Sequence, residues 1–247
     1  MRTLLHELVD PLRDHGRALA ITGAALALLL VYLEAGQRGF FLAHLAPRLS
    51  WSRAAPGADY WAALYQFGAA ALLFLAVPLL TRRLWTGQSL AELGLGLGDR
   101  RVGFLLIVPA GLLLVSIPGA LSAAFMPEFQ AEYPLAKSAA ASAGWFALYE
   151  LAYGLLYYIP YEAFFRGFLQ GSLQKQLGPA AAVCIQTAVT TLLHLGKPQG
   201  EIWSALLAGF VFGAVVLRTR SVWPILIVHW ALGTLTDLGC AWSAGRF

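Results

Sequence analysis

Glu162 and Arg166 lie one helical turn apart inside a long apolar stretch, and two histidines, His194 and His229, follow in later apolar stretches. Ionisable side chains in hydrocarbon are costly, so their presence in membrane segments indicates a functional site. Carboxylates and imidazoles are also the side chains that commonly move protons in enzymes. Three apolar segments contribute these groups, and the sequence therefore predicts one shared polar site near the middle of the membrane.

The spacing of Glu162 and Arg166 predicts a direct contact, because residues four apart lie on one helix face. Such pairing offsets part of the cost of burying both charges, so a purely structural salt bridge is one interpretation. The two histidines support another, in which a glutamate and imidazoles activate water. We expect no cofactor; the alternative is a catalytic zinc ion with Glu162, His194 and His229 as its three protein ligands.

Two further carboxylates are candidates for supporting roles. Glu201 follows His194 in the next loop, and Asp237 lies two turns beyond His229 on the same apolar segment. A buried aspartate seldom lacks a partner, so Asp237 is a candidate for orienting His229. Either carboxylate could also replace Glu162 as a base.

The composition is that of a membrane protein. The chain has 247 residues, 59% of them hydrophobic and 12% charged, with a mean hydropathy of +0.66. Soluble domains contain about 25% charged residues, so half of the expected charge is missing. The net charge of +4 does not indicate nucleic-acid binding, because the basic residues lie in short loops between apolar stretches. Cys184 and Cys240 fall in apolar segments, so no disulfide framework is expected.

The apolar stretches predict an all-α, polytopic membrane bundle of about seven transmembrane helices, in one domain covering 1–247. A spanning helix needs about 20 mostly apolar residues. The candidate spans are 18–34, 60–81, 102–126, 144–174, 178–196, 202–218 and 221–243. Pro160 should kink the fourth span beside the polar residues, because proline removes a backbone donor. Of the 17 Lys and Arg residues, 11 fall on one side and 6 on the other, which predicts a cytoplasmic N-terminus.

The polar segments resemble the motifs of the CPBP family, which contains the type II CAAX prenyl proteases and the bacteriocin-processing and self-immunity membrane proteins. The family pattern is Glu-Glu-x-x-x-Arg, then Phe-x-x-x-His, then His-x-x-x-Asn. In this chain Glu162-Ala163-Phe164-Phe165-Arg166, then His194, then Ser221-Val222-Trp223-Pro224-Ile225-Leu226-Ile227-Val228-His229 follow in that order. The resemblance covers about 144–243, which it identifies as the expected catalytic core.

The resemblance implies a bacterial cytoplasmic-membrane endopeptidase that hydrolyses a peptide bond of a membrane-associated protein, a C-terminal tail or a leader peptide. In that family the first glutamate of the pair and the first histidine activate water, and the last histidine and the asparagine stabilise the oxyanion, without a metal. Carried onto this chain, it implies catalysis by Glu162, His194 and His229 with support from Arg166. The implied partners are a peptide or membrane-protein substrate and the lipid bilayer.

Three positions depart from the family motifs. Tyr161 replaces the first glutamate, Thr190 the aromatic residue and Gly233 the asparagine. Tyrosine is a poor base at neutral pH, although it can donate a hydrogen bond to an oxyanion or orient a water. Either Glu162 has taken over as the base, or the chain is a catalytically silent homologue that binds a peptide or acts as an immunity protein. A proton or ion relay is a third interpretation.

Overall fold

The computed structural model of the protein describes residues 15–49, 57–85 and 87–246, and every regular element in these ranges is helical. This confirms the predicted all-α class. Eight helices in these ranges are numbered in chain order, and α4 is a short one of six residues. They are α1 (Gly16–Ala35), α2 (58–85), α3 (101–124), α4 (Pro127–Glu132), α5 (143–177), α6 (Pro179–Leu193), α7 (Gln199–Thr219) and α8 (Trp223–Ser243). Short helical turns cover 38–49 and Lys137–Ala141.

Among the described residues, five helices are long and apolar enough to cross a membrane: α1, α7, α8, the Ala58–Arg82 part of α2, and α3. In α3 only 11% of the most apolar window is buried inside the protein. Leu105, Leu113 and Leu114 are each more than 60% exposed on it. So much contiguous apolar surface needs lipid around it, and the chain is an integral membrane protein.

The predicted number of seven spans is not confirmed. Helix α6 has 15 residues, fewer than the roughly 20 that a perpendicular crossing requires. Helix α5 is long enough but carries tyrosines, Glu150, Glu162 and Arg166 among its apolar residues. Residues 160–173 of α5 are all buried, so protein surrounds this half of the helix and protein contacts make Glu162 and Arg166 tolerable there.

Helix α5 is the centre of the bundle. Phe164 and Phe165 on α5 pack against Phe74 of α2, with ring centroids 4.9 and 5.5 Å apart. Ile21 of α1 and Val189 of α6 belong to the same buried cluster. Aromatic pairs at these separations add attraction beyond the burial of their area, and this cluster fixes α5 against three neighbouring helices.

The backbone of α5 is irregular around Pro160. Wide π-helical turns cover Gly154–Tyr158 and Ala163–Gln170, on either side of the proline. Proline has no amide hydrogen, so the carbonyl one turn before it loses its usual donor. A π turn shifts the hydrogen bonding by one residue, and such turns are frequent at functional sites. Glu162 and Arg166 lie within or next to the second widened segment.

Helix α7 packs closely on α6 and α5 at Gly209 and Gly213. Gln186 Nε2 donates to the Gly209 carbonyl at 2.8 Å, and Gln170 Nε2 donates to the Gly213 carbonyl at 3.0 Å. A Cβ on Gly209 would lie 2.6 Å from a Thr187 methyl, so only glycine permits this approach. Helix α8 packs mainly on α3 instead, which leaves a space between α7 and α8.

Candidate active site

A cavity of about 220 Å³ occupies the space between α7 and α8 and is closed by α5 and α3. Its lining combines titratable and hydroxyl-bearing side chains with small and apolar ones. The lining residues that could take part in chemistry are Tyr133, Tyr158, Tyr161, Arg166, His194, Glu201, Ser204, His229 and Thr236. The structure therefore brings both predicted histidines into one cavity.

Glu162 is fully buried and lies behind His229 instead of lining the cavity. Its Oε1 is 2.6 Å from His229 Nδ1 and 3.3 Å from Arg166 Nη1. The second contact is the one that the i,i+4 spacing predicts. The Glu162 carboxylate accepts a hydrogen bond from Nδ1–H of His229. In this geometry Glu162 orients His229 and does not line the cavity.

His194 is held in one tautomer by the backbone. Its Nδ1 lies 2.7 Å from the Thr190 carbonyl oxygen. A carbonyl only accepts hydrogen bonds, so Nδ1 carries the hydrogen and Nε2 of the neutral ring is an acceptor. That Nε2 lies 3.9 Å from Glu201 Oε1. The residue at the family's aromatic position, Thr190, thus contributes its carbonyl to the site.

Glu201 is the carboxylate that lines the cavity in the described part of the chain. It lies in the first turn of α7, and its side chain is 19% exposed. The Tyr133 hydroxyl lies 2.8 Å from both of its oxygens and donates to them. Tyr133 is the first residue after α4, so this contact joins the loop between α4 and α5 to α7. The contact fixes Glu201 in place, facing His194.

Tyr161 lies beside both histidines, with ring centroids 5.5 Å from His229 and 6.4 Å from His194. The Arg166 guanidinium lies 5.4 Å from the centre of the Tyr161 ring. Such cation–π contacts stabilise a desolvated arginine. Tyr161 therefore takes space in the cavity wall, and Arg166 is held between this ring and Glu162.

Tyr158 fills the space beside Gly233, the position of the family's asparagine. A Cβ on Gly233 would lie 1.8 Å from the Tyr158 hydroxyl oxygen, so no larger residue fits there. The Tyr158 ring lies edge-on to His229 at 4.9 Å. A phenol hydroxyl from α5 thus stands where a side chain from α8 would otherwise project.

Asp237, predicted as a supporting residue, is fully buried but does not line the cavity. Its electrostatic neighbours are Glu150 and Tyr149 on α5. Glu150 in turn accepts a hydrogen bond of 2.7 Å from the Thr234 hydroxyl. These contacts place Asp237 in a separate polar cluster between α5 and α8.

The zinc alternative does not fit the donor positions. Within the described residues, no group of three or more His, Cys, Asp or Glu side chains is arranged to hold a metal ion. Nδ1 of His229 is already bonded to Glu162, and Glu162 does not reach the cavity that His194 lines. Glu162, His194 and His229 therefore do not converge as one ligand set.

The sequence did not single out Tyr133 or Tyr158 as site residues. Tyr158 lies one turn before Glu162 on α5, so its helical position was the available signal. Tyr133 lies in a loop that is remote in sequence from Glu201, and only the tertiary structure joins them.

Residues 143–235 match the family model described as type II CAAX prenyl endopeptidase, Rce1-like. This match confirms the resemblance predicted from the three motifs, and it includes Glu162, His194, Glu201 and His229. Neither the curated proteins nor the solved structures provide a significant match to the chain.

Proposed function

We propose that this chain, a CPBP family member through its segment 143–235, is an intramembrane endopeptidase that hydrolyses a membrane-associated peptide in the cavity between α7 and α8. The observation that carries the proposal is the pairing of Glu201 with His194 across 3.9 Å inside that cavity. The Glu201 side chain is 19% exposed, accepts a hydrogen bond from Tyr133, and faces an imidazole acceptor in a cavity large enough for water.

The separation of Glu201 and His194 suits one bridging water. A water about 2.8 Å from each acceptor would donate one hydrogen to Glu201 Oε1 and the other to His194 Nε2. Both of its hydrogens would then be engaged, and its oxygen lone pairs would be free for a carbonyl carbon. Glu201 takes one proton as the water oxygen bonds to that carbon.

The negative charge that develops on the carbonyl oxygen must be stabilised by hydrogen-bond donors, and three side chains are placed to donate. Arg166 and His229 both line the cavity, and the carboxylate of Glu162 holds the His229 ring in position through Nδ1. Tyr161 adds a hydroxyl donor. Donors already in place before the reaction stabilise such an oxyanion strongly. When the intermediate collapses, the carbon–nitrogen bond breaks and Glu201 returns its proton to the leaving amine.

This assignment gives Glu162 a different role from the one expected from the sequence. Glu162 is fully buried, and one of its oxygens already binds His229 and Arg166. A base must come within hydrogen-bonding reach of the proton that it removes. Glu162 therefore acts through His229 as a positioning residue, and Glu201 supplies the base.

The helices around the cavity suit a substrate that arrives from the bilayer. Val115 and Gly119 of α3 form one apolar border, and Ala205, Ala208 and Phe212 of α7 form the other. Between such borders an apolar peptide side chain moves from lipid into the cavity without being exposed to water. We place the protein in a bacterial cytoplasmic membrane with its N-terminus inside, because the excess of basic residues favours that orientation.

The test is cleavage by the purified protein in liposomes. A library of membrane-anchored peptides is incubated with the wild type and with Glu201→Gln, and new termini are mapped by mass spectrometry. We expect discrete cleavage sites with the wild type and their loss with Glu201→Gln. Equal products from both proteins would show that another enzyme or another base is responsible.

A catalytically silent, peptide-binding homologue is the second candidate. Two observations favour it: Tyr161 occupies the position of the family's first glutamate, and Glu162 is withdrawn from the cavity. In that case the wild type would retain peptides of the library without cutting them. Tyr161→Glu would then introduce a carboxylate into the cavity wall and start cleavage.

A further inference from the structure

A second cavity lies on the other side of Arg166 from the catalytic cavity, under the loop 87–100. Its volume is about 350 Å³, and Ala91–Gly94 of the loop, residues of α5 and the end of α7 enclose it. The loop is firmly attached there. Leu93 lies against Gly167, where a Cβ would be 2.8 Å from the Leu93 carbonyl, and Gln88 Nε2 donates to the Gly171 carbonyl at 3.2 Å.

The same loop is anchored to the turn between α7 and α8. The Val222 amide donates to the Gly94 carbonyl at 2.9 Å, and the Trp223 indole donates to the Leu95 carbonyl at 3.0 Å. Gly94 and Gly98 have positive φ, of 75° and 54°, which suits glycine and bends the loop over the cavity. The loop therefore forms an ordered roof.

Buried polar atoms in the cavity wall have no protein partner. Arg166 Nε and Gln170 Oε1 form no hydrogen bond with any described residue, although the two side chains are only 3% and 1% exposed. One is a donor and the other an acceptor. Leaving such atoms unsatisfied is costly, and the two side chains that carry them line a cavity with room for water.

Arg166 belongs to both cavities. It lines the second cavity together with Gln170 and Gln174, and it also lines the cavity that contains His194 and His229. The Arg166 side chain thus lies between the second cavity and the cavity that contains His194 and His229.

We propose that the second cavity is a hydrated inlet that supplies water to the catalytic cavity past Arg166. The inference rests on the proposed hydrolysis, because each turnover consumes one water. A peptide that fills the catalytic cavity excludes solvent from its own side, so water must arrive by another route. The loop 87–100 marks the side from which it arrives.

Cysteine accessibility tests the inlet without any activity. In a Cys184→Ser/Cys240→Ala background, single cysteines are placed at Gln170 and Ser172, which are equally buried on α5. Ser172 lines neither cavity. A small, membrane-impermeant thiosulfonate is added to each face of proteoliposomes, and Leu90→Cys identifies the face that carries the loop.

We expect Gln170→Cys to react at least about tenfold faster than Ser172→Cys, and only from the face that labels Leu90→Cys, because a thiol reacts as a hydrated thiolate. Gln174→Cys, nearer the mouth, should react as well and covers the case in which Gln170→Cys does not fold. Equal rates for Gln170→Cys and Ser172→Cys, or labelling only from the other face, overturn the inlet.

The link to catalysis is tested with a bulky label on Gln174→Cys. A plugged inlet should lower kcat about tenfold or more and leave KM unchanged, with the unlabelled variant as the control. An unchanged kcat after complete labelling refutes the supply of water by this route. If the wild type cleaves no peptide, the proposed hydrolysis is wrong. The labelling rates of the cysteine variants still decide whether the second cavity is hydrated.

Discussion

Replacing Glu201 by Gln separates the proposed mechanism from the one expected from the family motifs. Glutamine keeps the shape, and its amide oxygen still accepts the 2.8 Å hydrogen bond from Tyr133. It cannot take a proton from the water between this residue and His194. A positioned general base contributes about 10²- to 10⁴-fold, so we expect kcat to fall by that factor with little change in KM.

Glu162→Gln is the matched comparison, because it makes the same chemical change outside the cavity. It weakens a charge-assisted hydrogen bond to His229, worth about 1.5–3 kcal/mol. That energy corresponds to a loss of roughly 10- to 150-fold in kcat. It also leaves Arg166 buried without its carboxylate, and breaking such a pair costs about 3–5 kcal/mol of stability. Glu162→Gln should therefore melt earlier, whereas Glu201→Gln should not.

The assay is steady-state cleavage of one peptide identified from the library, with the melting temperature of each variant measured in the same detergent. The expected order of kcat is wild type, then Glu162→Gln, then Glu201→Gln. If Glu162→Gln is the slower variant at temperatures where it is fully folded, Glu162 and not Glu201 is the general base. If Glu201→Gln keeps full activity, the carboxylate in the cavity has no part in the reaction.

Three further predictions concern Tyr161, Gly233 and Glu132. In an active enzyme Tyr161→Phe should lower kcat about 10- to 100-fold, since a lost oxyanion donor costs up to about 10³-fold; an unchanged kcat would mean that the ring only packs. Gly233→Ala should destabilise the protein by about 1–3 kcal/mol through its clash with Tyr158, and Tyr158→Leu should relieve that loss in thermal melts. Burial favours the neutral form of Glu132, but a neighbouring lysine and arginine outweigh it and hold the pKa of Glu132 below its ordinary value. The contribution of ionised Glu132 to the free energy of unfolding is therefore complete above about pH 4.3 and is lost as the pH falls through the lowered pKa. Glu132→Gln should make the melting temperature less dependent on pH in the acid range. An unchanged pH profile of the melting temperature would contradict this assignment.

Local spacing and burial cost account for what the sequence predicts correctly. The contact between Glu162 and Arg166 follows from helix geometry alone, because residues four apart share a face. The meeting of His194 and His229 in one cavity follows from the cost of leaving either alone in lipid. Neither inference needs the packing of distant segments.

The remaining features depend on tertiary packing. Whether Glu162 faces the cavity or His229 is decided by how α5 and α8 are rotated against each other. Tyr133 reaches Glu201 from a loop 68 residues away. The number of spans is also a tertiary property, since α5 carries its polar residues only because other helices surround it.

Neighbouring side chains occupy the places of the residues that are missing from the family motifs, which is the arrangement that the proposed hydrolysis requires. The missing asparagine at Gly233 leaves a space that the Tyr158 hydroxyl fills. The carboxylate missing at Tyr161 has a counterpart in Glu201, which comes from α7 and faces His194. In the proposed reaction a carboxylate held in the cavity takes the proton from water. A hydrolase needs it there, and the Tyr133 hydroxyl that fixes Glu201 keeps it aligned with the imidazole.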